Sequence, residues 1–430
     1  MSVLLPLYRT VTALGAPAIT WYLARRLARG KEDPARFHER RGEARRPRPD
    51  GLLIWVHGAS VGESLTMLPL IERLLSDRPD LNILVTTGTV TSAALLAERL
   101  PAGAFHQYVP VDRLPYVRRF LDHWRPDLVL WAESEFWPNL VTLPAARGVP
   151  MVLVNGRVSP GSHTGWQRYR GLIAKMLAGF QLCLAQADTD AERLTTLGAA
   201  NVQTAGNLKY AAPPLPADTD ALAALRAALG DRPCWLAAST HAGEEAIAGQ
   251  VHQTLKAGHD GLLTVIVPRH PERGADIARQ LQANGLSVVR RGAGAAVDAA
   301  TDIYVADTLG ELGLFFRICP ISFMGKSLVD LGGQNPLEPA RLGSAIVFGP
   351  HMWNFPDITR DLIDAGAGET VADADALAAA VSRLLGDPAL CADAGRRGRA
   401  VAESEANVLD RVTDALQPFL AGLDDGRTGP

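Results

Sequence analysis

Short apolar runs alternate with helical apolar patterns along most of the chain after Gly51. Each run has the length of a buried strand, ends in a glycine-containing or polar turn, and precedes a segment with apolar residues at helical spacing. This alternation is typical of βαβ units, whose strands pair in parallel. In the first half of the chain, the predicted strands are Leu52–Val56, Leu81–Thr87, Asp127–Ala132, Pro150–Val154, Leu182–Ala185 and Val202–Ala205.

The alternation restarts after a proline-rich stretch at 211–220, whose composition is typical of a linker. The segment from about Ala389 to Leu420 is expected to be helical. The sequence therefore predicts two α/β domains of similar size, which bind ligands at the carboxyl ends of their strands. Beyond the linker, the predicted strands are Trp235–Ala238, Leu262–Val267, Ser287–Arg290, Ile303–Ala306, Pro320–Met324 and Ala345–Phe348.

The composition excludes several classes of protein. The chain has 430 residues, of which 47% are hydrophobic and 21% charged, so it is not a disordered protein. A formal net charge of −3 speaks against a general nucleic-acid binder. Its four cysteines lie far apart and form neither a CxxC pair nor a zinc spacing, which favours a reducing compartment.

The first fifty residues are basic and begin with an apolar stretch. They hold eleven Lys/Arg against five Asp/Glu, and no residue in Thr10–Ala24 is charged. That stretch is shorter than the ~20 residues of a spanning helix. Trp21 and Tyr22 precede a run of arginines, as at a membrane interface. We expect a short anchor or interfacial helix on an anionic membrane surface, with a buried helix of the first domain or a cleaved signal peptide as alternatives.

Three motifs of the first half follow predicted strands and carry charged groups. Glu63 ends the motif His57–Glu63 in the first turn of a helix, where a carboxylate can act as a general base or simply favour the helix dipole. Glu133 and Glu135 flank a serine in an aromatic turn; they are either a pair of acids near a sugar site or one capping and one solvated carboxylate. Lys209 can offset developing negative charge, or it is a surface lysine.

Three motifs of the second half suit a phosphate or a nucleotide. Arg269 follows a predicted strand, and its guanidinium can grip two oxygens, unless it belongs only to a rigid charged turn. The segment 307–311 enters a helix, whose first N–H groups can hold phosphate. Asn335 is expected as a helix N-cap, with Pro336 as first helical residue and Glu338 either on a ribose diol or in a capping box. No Asp-x-Asp pair predicts a metal site.

Taken together, six motifs stand in an order that resembles the 3-deoxy-D-manno-octulosonic acid (Kdo) transferase family. They are HGASVGE, ESEFWPN, AGNLK, STHAGEE, PRHPER and GGQNPLE, and the resemblance covers essentially the whole chain. It implies a GT-B fold, in which two Rossmann-like domains face a cleft. It also implies transfer of Kdo from CMP-Kdo to the lipid A precursor (lipid IVA), in lipopolysaccharide core biosynthesis, at the cytoplasmic face of the inner membrane. The reaction is expected to be inverting and metal-independent, and no cofactor is expected.

The resemblance also implies roles for individual residues. Glu63 corresponds to the proton acceptor, and Glu133 and Lys209 to residues that stabilise the transition state. Two departures from the family pattern stand out: Gly58 and Ala59 replace residues that are often larger, and Lys326 stands where glycine is common, which adds a positive charge on the donor side. The positions that correspond to CMP-binding segments are Pro268, Arg269, Leu309, Gly310, Glu311, Asn335, Pro336, Leu337 and Glu338.

Three alternative functions are compatible with parts of this sequence. One is a GT-B transferase that uses another nucleotide sugar. A second is an NAD-dependent oxidoreductase, against which the missing G-x-G-x-x-G motif argues. A third is a noncatalytic membrane scaffold, which would not need Glu63, Lys209 and Arg269.

The resemblance also predicts how the chain is divided into domains. The expected segments are a membrane segment at 1–30, an acceptor domain at 31–210, a linker at 211–220, a CMP-Kdo-binding domain at 221–400, and a C-terminal helix and tail at 401–430.

Overall fold

Two parallel β-sheets organise the chain. The computed structural model describes residues 4–211, 213–405 and 407–425. It divides into two compact units, the first formed by the described residues of Met1–Ala212 and Glu405–Pro430, and the second by those of Pro213–Ser404. Each unit is a Rossmann-like α/β domain with one seven-stranded sheet.

In unit 1 the sheet order is β3-β2-β1-β4-β5-β6-β7, and every recorded strand pair is parallel. The order reverses at β1, which lies between β2 and β4. Ligands of open α/β sheets bind at such a switch point, beyond the carboxyl ends of the strands. The strands are β1 (Leu53–His57), β2 (Asn82–Thr87), β3 (Ala104–Tyr108), β4 (Leu128–Ala132), β5 (Met151–Gly156), β6 (Leu182–Ala185) and β7 (Val202–Thr204).

The core of unit 1 is aromatic. Trp55 on β1 packs edge-on against Trp131 on β4, with ring centroids 5.7 Å apart, and against Phe120 at 4.8 Å. All three side chains are fully buried, and each contributes about 2–3 kcal/mol by leaving water. The helices of this unit are α1 (Leu4–Leu14), α2 (Ala16–Ala28), α3 (Val61–Asp77), α4 (Val90–Arg99), α5 (Leu114–Trp124), α6 (Pro138–Ala146), α7 (Pro160–Gln167), α8 (Arg170–Leu177), α9 (Asp188–Leu197) and α18 (Val408–Asp425).

Unit 2 repeats the plan with the sheet order β10-β11-β9-β8-β12-β13-β14. Here the order reverses at β8. Its strands are β8 (Cys234–Thr240), β9 (Leu263–Pro268), β10 (Val288–Arg290), β11 (Ile303–Val305), β12 (Ile321–Met324), β13 (Ala345–Phe348) and β14 (Gly368–Thr370). Its helices are α10 (Thr219–Leu229), α11 (Glu244–Leu255), α12 (Gly274–Ala283), α13 (Leu312–Ile318), α14 (Leu337–Arg341), α15 (Pro356–Asp364), α16 (Ala374–Gly386) and α17 (Pro388–Ser404).

The N-terminal residues form two short helices, α1 and α2, that are buried on one side. Leu5 is in the core, and the Tyr8 hydroxyl donates to Asp112 Oδ2 at 2.9 Å. Opposite them, Leu7, Val11 and Leu14 are more than half exposed at helical spacing. In the part of the chain that the structure describes, every helix is too short or too polar to cross a membrane.

The structure differs from the sequence prediction in several elements. The edge strands β3 and β14 were not predicted, and no range was predicted for several helices, among them α5. The expected helix over 389–420 is wrong in its middle, because α17 ends at Ser404 and α18 begins at Val408. The physical reason is that α18 packs against α3 and the 3₁₀ turn Leu208–Ala211 of unit 1, where its residues Val408 and Leu416 are buried.

Candidate active site

The first candidate group lies where the strand order of unit 1 reverses. Glu63 is in the first turn of α3, directly after β1. The N-cap residue Ser60 accepts a hydrogen bond from Glu63 N at 3.3 Å. In return, Glu63 Oε1 accepts from Ser60 Oγ at 2.9 Å and Oε2 accepts from Ala59 N at 2.7 Å. The capping geometry fixes the carboxylate, and each oxygen keeps a lone pair for a further donor.

The pKa of Glu63 is raised from 4.5 to about 7. Burial is the largest cause, because it disfavours the charged carboxylate. The negative charge of Glu133 raises the pKa further, and that of Glu135 adds a smaller rise. The hydrogen bonds from Ala59 and Ser60 act in the opposite direction without cancelling the rise. A carboxylate with a pKa near neutrality has the proton affinity that suits a general base.

Glu133 follows β4 with a left-handed backbone. Its φ is 54°, and its N–H donates to Val154 O of the neighbouring β5 at 3.0 Å. Non-glycine residues in this region cost energy and concentrate at functional sites. Burial raises the pKa of Glu133, while the positive charges of Lys209 and Arg157 lower it. Glu133 is thus the electrostatic neighbour that connects Glu63 with Lys209.

Lys209 lies in the 3₁₀ turn Leu208–Ala211 that follows β7. The turn is held by the buried Asn155 at the end of β5, whose Oδ1 accepts from Leu208 N at 2.9 Å. Asn155 has a φ of 57°, a conformation that asparagine tolerates better than most residues. The sequence analysis missed Asn155, although an asparagine that follows the apolar run Met151–Val154 is a signal for such a role.

Two further polar residues lie in this region. Glu135 Oε2 accepts from the indole N–H of the exposed Trp137 at 2.8 Å, so this carboxylate orients the turn. His57 at the end of β1 is fully buried beside Trp131, with ring centroids 4.1 Å apart. Burial lowers the pKa of His57 to about 3, and its ring is therefore neutral at physiological pH. Glu63, Glu133 and Lys209 therefore form one group whose charges act on each other: Glu133 on Glu63, and Lys209 on Glu133.

The second candidate group lies at the carboxyl ends of the central strands of unit 2. Pro268 ends β9, and Arg269 N donates to Thr240 O at the end of β8 at 3.0 Å. The rings of His241 and His270 lie 5.8 Å apart. The sequence analysis also missed Glu244, a fully buried carboxylate at the start of α11 that binds backbone N–H groups of the loop after β12.

The segment that contains Leu309, Gly310 and Glu311 follows β11 at the same edge of the sheet. Leu309 is 83% exposed, and Gly310 has a φ of 80°. The Glu311 carboxylate is paired with the guanidinium of Arg291 and accepts from the Thr308 hydroxyl. A ligand would therefore meet the backbone of this segment before it met the Glu311 side chain.

The segment from Asn335 to Glu338 differs by one residue from the predicted cap. Helix α14 begins at Leu337, with Pro336 as its N-cap, so Glu338 is the second helical residue and not the third. The Asn335 side chain still caps the turn, because its Oδ1 accepts from Leu337 N at 3.1 Å. Within the described residues, no group of three or more His, Cys, Asp or Glu side chains is placed to hold a metal ion.

Comparisons with known proteins agree with these motifs. A family model described as 3-deoxy-D-manno-octulosonic-acid transferase matches residues 35–212. The 3-deoxy-D-manno-octulosonic acid transferase of Haemophilus influenzae is 36% identical over 88% of this chain and 89% of its own length. The transferase of the same name from Bordetella pertussis is 35% identical over 94% of this chain and 97% of its own length.

A solved structure supports the fold alone. The putative UDP-N-acetylglucosamine 2-epimerase of Listeria monocytogenes superimposes with a TM-score of 0.56 at 12% identity, over 86% of this chain and 97% of the epimerase. Sequence identity above 30% over most of both chains is stronger evidence for a shared family than a shared fold, and the two transferases named above show such identity. The chain belongs to the 3-deoxy-D-manno-octulosonic acid (Kdo) transferase family, and it is a glycosyltransferase.

Proposed function

We propose that this chain transfers Kdo from CMP-Kdo to a lipid A precursor, lipid IVA, with inversion at the anomeric carbon and without a metal ion. Glu63 is the general base. The observation that carries this proposal is the fixed, half-buried Glu63 carboxylate at the switch point of unit 1, whose pKa is raised to about 7. A base with that pKa is ionised in a large fraction of molecules at neutral pH and still accepts a proton readily.

The reaction balances with one proton transfer. A hydroxyl of the acceptor sugar gives its proton to Glu63 as its oxygen forms a bond to the anomeric carbon of Kdo. The bond between that carbon and the phosphate oxygen of CMP breaks, and CMP leaves with the electron pair. Attack from the face opposite the leaving group inverts the configuration. The proton on Glu63 is afterwards released to solvent.

Glu133 and Lys209 tune this base and act on the transition state. Lys209 lowers the pKa of Glu133 and so favours its ionised form, and the Glu133 charge in turn raises the pKa of Glu63. An ionised Glu133 also stabilises positive charge that develops on the sugar ring as the donor bond breaks. These two residues therefore serve the reaction through their charges.

The donor binds to the second candidate group. CMP-Kdo carries a phosphodiester and a carboxylate, which suit the guanidinium of Arg269 and the backbone N–H groups near Gly310. Asn335, Pro336, Leu337 and Glu338 form the turn proposed to hold the nucleoside. The neighbouring Gly332 and Gly333 both have a positive φ, so only a residue without a side chain fits these turns without strain.

The acceptor is a lipid, and we propose that the enzyme works at the cytoplasmic face of the inner membrane. The exposed stripe Leu7, Val11 and Leu14 on α1 and the exposed Trp21 and Tyr22 on α2 supply apolar surface. Arginines in the last turn of α2 supply charge for anionic lipid headgroups. These helices lie on the membrane surface in this proposal and keep the enzyme close to its acceptor.

The test compares two variants with the same chemical change on the same helix. Glu63→Gln removes the base, and Glu72→Gln is the control, because Glu72 is an exposed residue of α3. With CMP-Kdo formed in situ, Glu63→Gln should lower the rate of Kdo transfer by at least about 100-fold. Glu72→Gln should keep the wild-type rate. Equal rates in wild type and Glu63→Gln would remove Glu63 as the base.

A further inference from the structure

Three loops of unit 2 meet around one buried carboxylate. Glu244 Oε2 accepts from both His241 N at 2.9 Å and Lys326 N at 2.7 Å, while its Oε1 accepts from Ser327 N at 3.0 Å and Leu328 N at 3.1 Å. His241 and Lys326 are therefore held side by side by a single oxygen. Arg269 N donates to Thr240 O, the residue before His241, so the Arg269 loop lies beside the His241 loop.

Lys326 adopts a backbone conformation that favours glycine. Its φ is 65°, and its carbonyl accepts from Gly333 N at 2.8 Å, which fixes the turn. A side chain in this left-handed region costs about 1 kcal/mol relative to glycine. A strained backbone that is kept in place points to a function for the side chain that it carries.

The Lys326 side chain adds a positive charge to these loops, where the Glu244 carboxylate is already bound by four backbone N–H groups. Among the described residues, neither Lys326 nor Arg269 forms an ion pair. The neighbouring Glu245 carboxylate is bound by Arg273 through two hydrogen bonds of 2.8 and 3.1 Å. Burial lowers the pKa of His241, and the charges of Lys326, His270 and Arg269 lower it further. In the described part of the chain, the carboxyl ends of β9 and β12 are thus followed by two cationic side chains without an ion-pair partner, an arrangement that suits an oxyanion.

We propose that Lys326 and Arg269 together bind an oxyanion of the donor, either its phosphodiester or the carboxylate of Kdo. This inference rests on the proposed function, since it takes CMP-Kdo as the donor. Lys326 acts as a point charge, and Arg269 contributes the planar fork of its guanidinium. The cost of the strained backbone at Lys326 is then offset by binding energy toward the donor.

Four variants separate charge from backbone strain. Lys326→Gly removes the charge and relieves the strain, Lys326→Gln removes the charge and keeps the strain, and Lys326→Arg keeps both. Lys256→Gln is the control, because Lys256 is an exposed lysine of the same unit whose ammonium lies 3.4 Å from Asp302. The readouts are the KM for CMP-Kdo, kcat, and the thermal stability of the full chain.

Charge loss at Lys326 should raise the KM for the donor roughly tenfold and change kcat much less, as expected for a lost charge-assisted contact. Lys326→Gly should do so while its thermal stability equals or exceeds that of wild type. Lys326→Arg and Lys256→Gln should keep a KM near the wild-type value. A wild-type KM in both Lys326→Gly and Lys326→Gln would overturn the proposal.

Binding of two partial ligands identifies the oxyanion. Weaker binding of CMP to Lys326→Gly assigns the contact to the phosphate, and weaker binding of free Kdo assigns it to the carboxylate. If the wild-type chain transfers no Kdo, the proposed function fails, but these binding measurements still decide on the anion site. Unchanged binding of both ligands would then overturn the inference independently.

Discussion

Substitution of Glu133 by glutamine should shift the pH dependence of transfer toward lower pH. The charge of Glu133 is the second-largest cause, after burial, of the raised pKa of Glu63. Because a neutral amide cannot repel the Glu63 carboxylate, Glu133→Gln should make Glu63 easier to ionise. The base should then work at a pH at which the wild-type base is still protonated.

The magnitude follows from the size of the shift. The pKa of Glu63 rises from 4.5 to about 7, with burial as the largest cause and the charge of Glu133 as the second. Each pH unit of this rise that is due to Glu133 corresponds to about 1.4 kcal/mol of repulsion between the two carboxylates. In wild type, kcat/KM should fall roughly tenfold for each pH unit below about 7, because only the ionised base reacts. At about pH 6, Glu133→Gln should raise the ionised fraction of Glu63, and a downward shift of one pH unit would take it from roughly a tenth to about a half.

The assay is the pH profile of kcat/KM, normalised to its own plateau for each variant, since loss of Glu133 also lowers the plateau itself. Glu72→Gln serves as the control and should keep the wild-type profile. An acid limb that stays in place in Glu133→Gln, or moves to higher pH, would refute the electrostatic link between Glu133 and Glu63.

Two further predictions concern the Lys209 turn and the N-terminal helices. Asn155→Ala leaves the Leu208 N–H without its acceptor and should cost about 1–3 kcal/mol of stability together with a fall in kcat. Asn155→Gly also loses the acceptor but suits the positive φ, so comparison of the two variants separates backbone strain from hydrogen bonding. A wild-type Tm and kcat in Asn155→Ala would refute this role. A double substitution of Leu14 and Trp21 by serine should weaken co-sedimentation with anionic vesicles several-fold, as expected when apolar side chains no longer leave water. As the control, substitution of the exposed Leu390 of unit 2 by serine should leave vesicle binding unchanged. If this control weakened vesicle binding as much as the Leu14 and Trp21 double substitution, surface binding by α1 and α2 would be contradicted.

The sequence predicts the central strands well, because they are buried on both faces and read as continuous apolar runs. The edge strand β3 was missed because it contains His106 and Gln107. Their polarity is satisfied only by tertiary partners: Thr87 Oγ1 lies 2.9 Å from His106 Nε2, and the Trp124 indole donates to Gln107 Oε1 at 2.9 Å. Partners of this kind cannot be read from local pattern.

In the candidate site, too, local positions can be predicted from the sequence, whereas effects of tertiary contacts cannot. The position of Glu63 after a strand is visible in the sequence, and so is its place in the first turn of a helix. Its raised pKa is not visible, because it depends on burial and on Glu133, which comes from another strand of the sheet. The role of Glu244 was also hidden, since its backbone partners at Lys326 and Ser327 lie in a distant part of the sequence.

The most direct test of the account is the transfer reaction itself. The purified chain is incubated with CMP-Kdo formed in situ and a tetraacylated lipid A precursor. The masses of the lipid products are measured by mass spectrometry, beside reactions with UDP-sugars. We expect a lipid product heavier by one or more Kdo units, with release of CMP and no product from UDP-sugars. Folded protein that gives no Kdo product, or that instead transfers a sugar from a UDP donor, would contradict it.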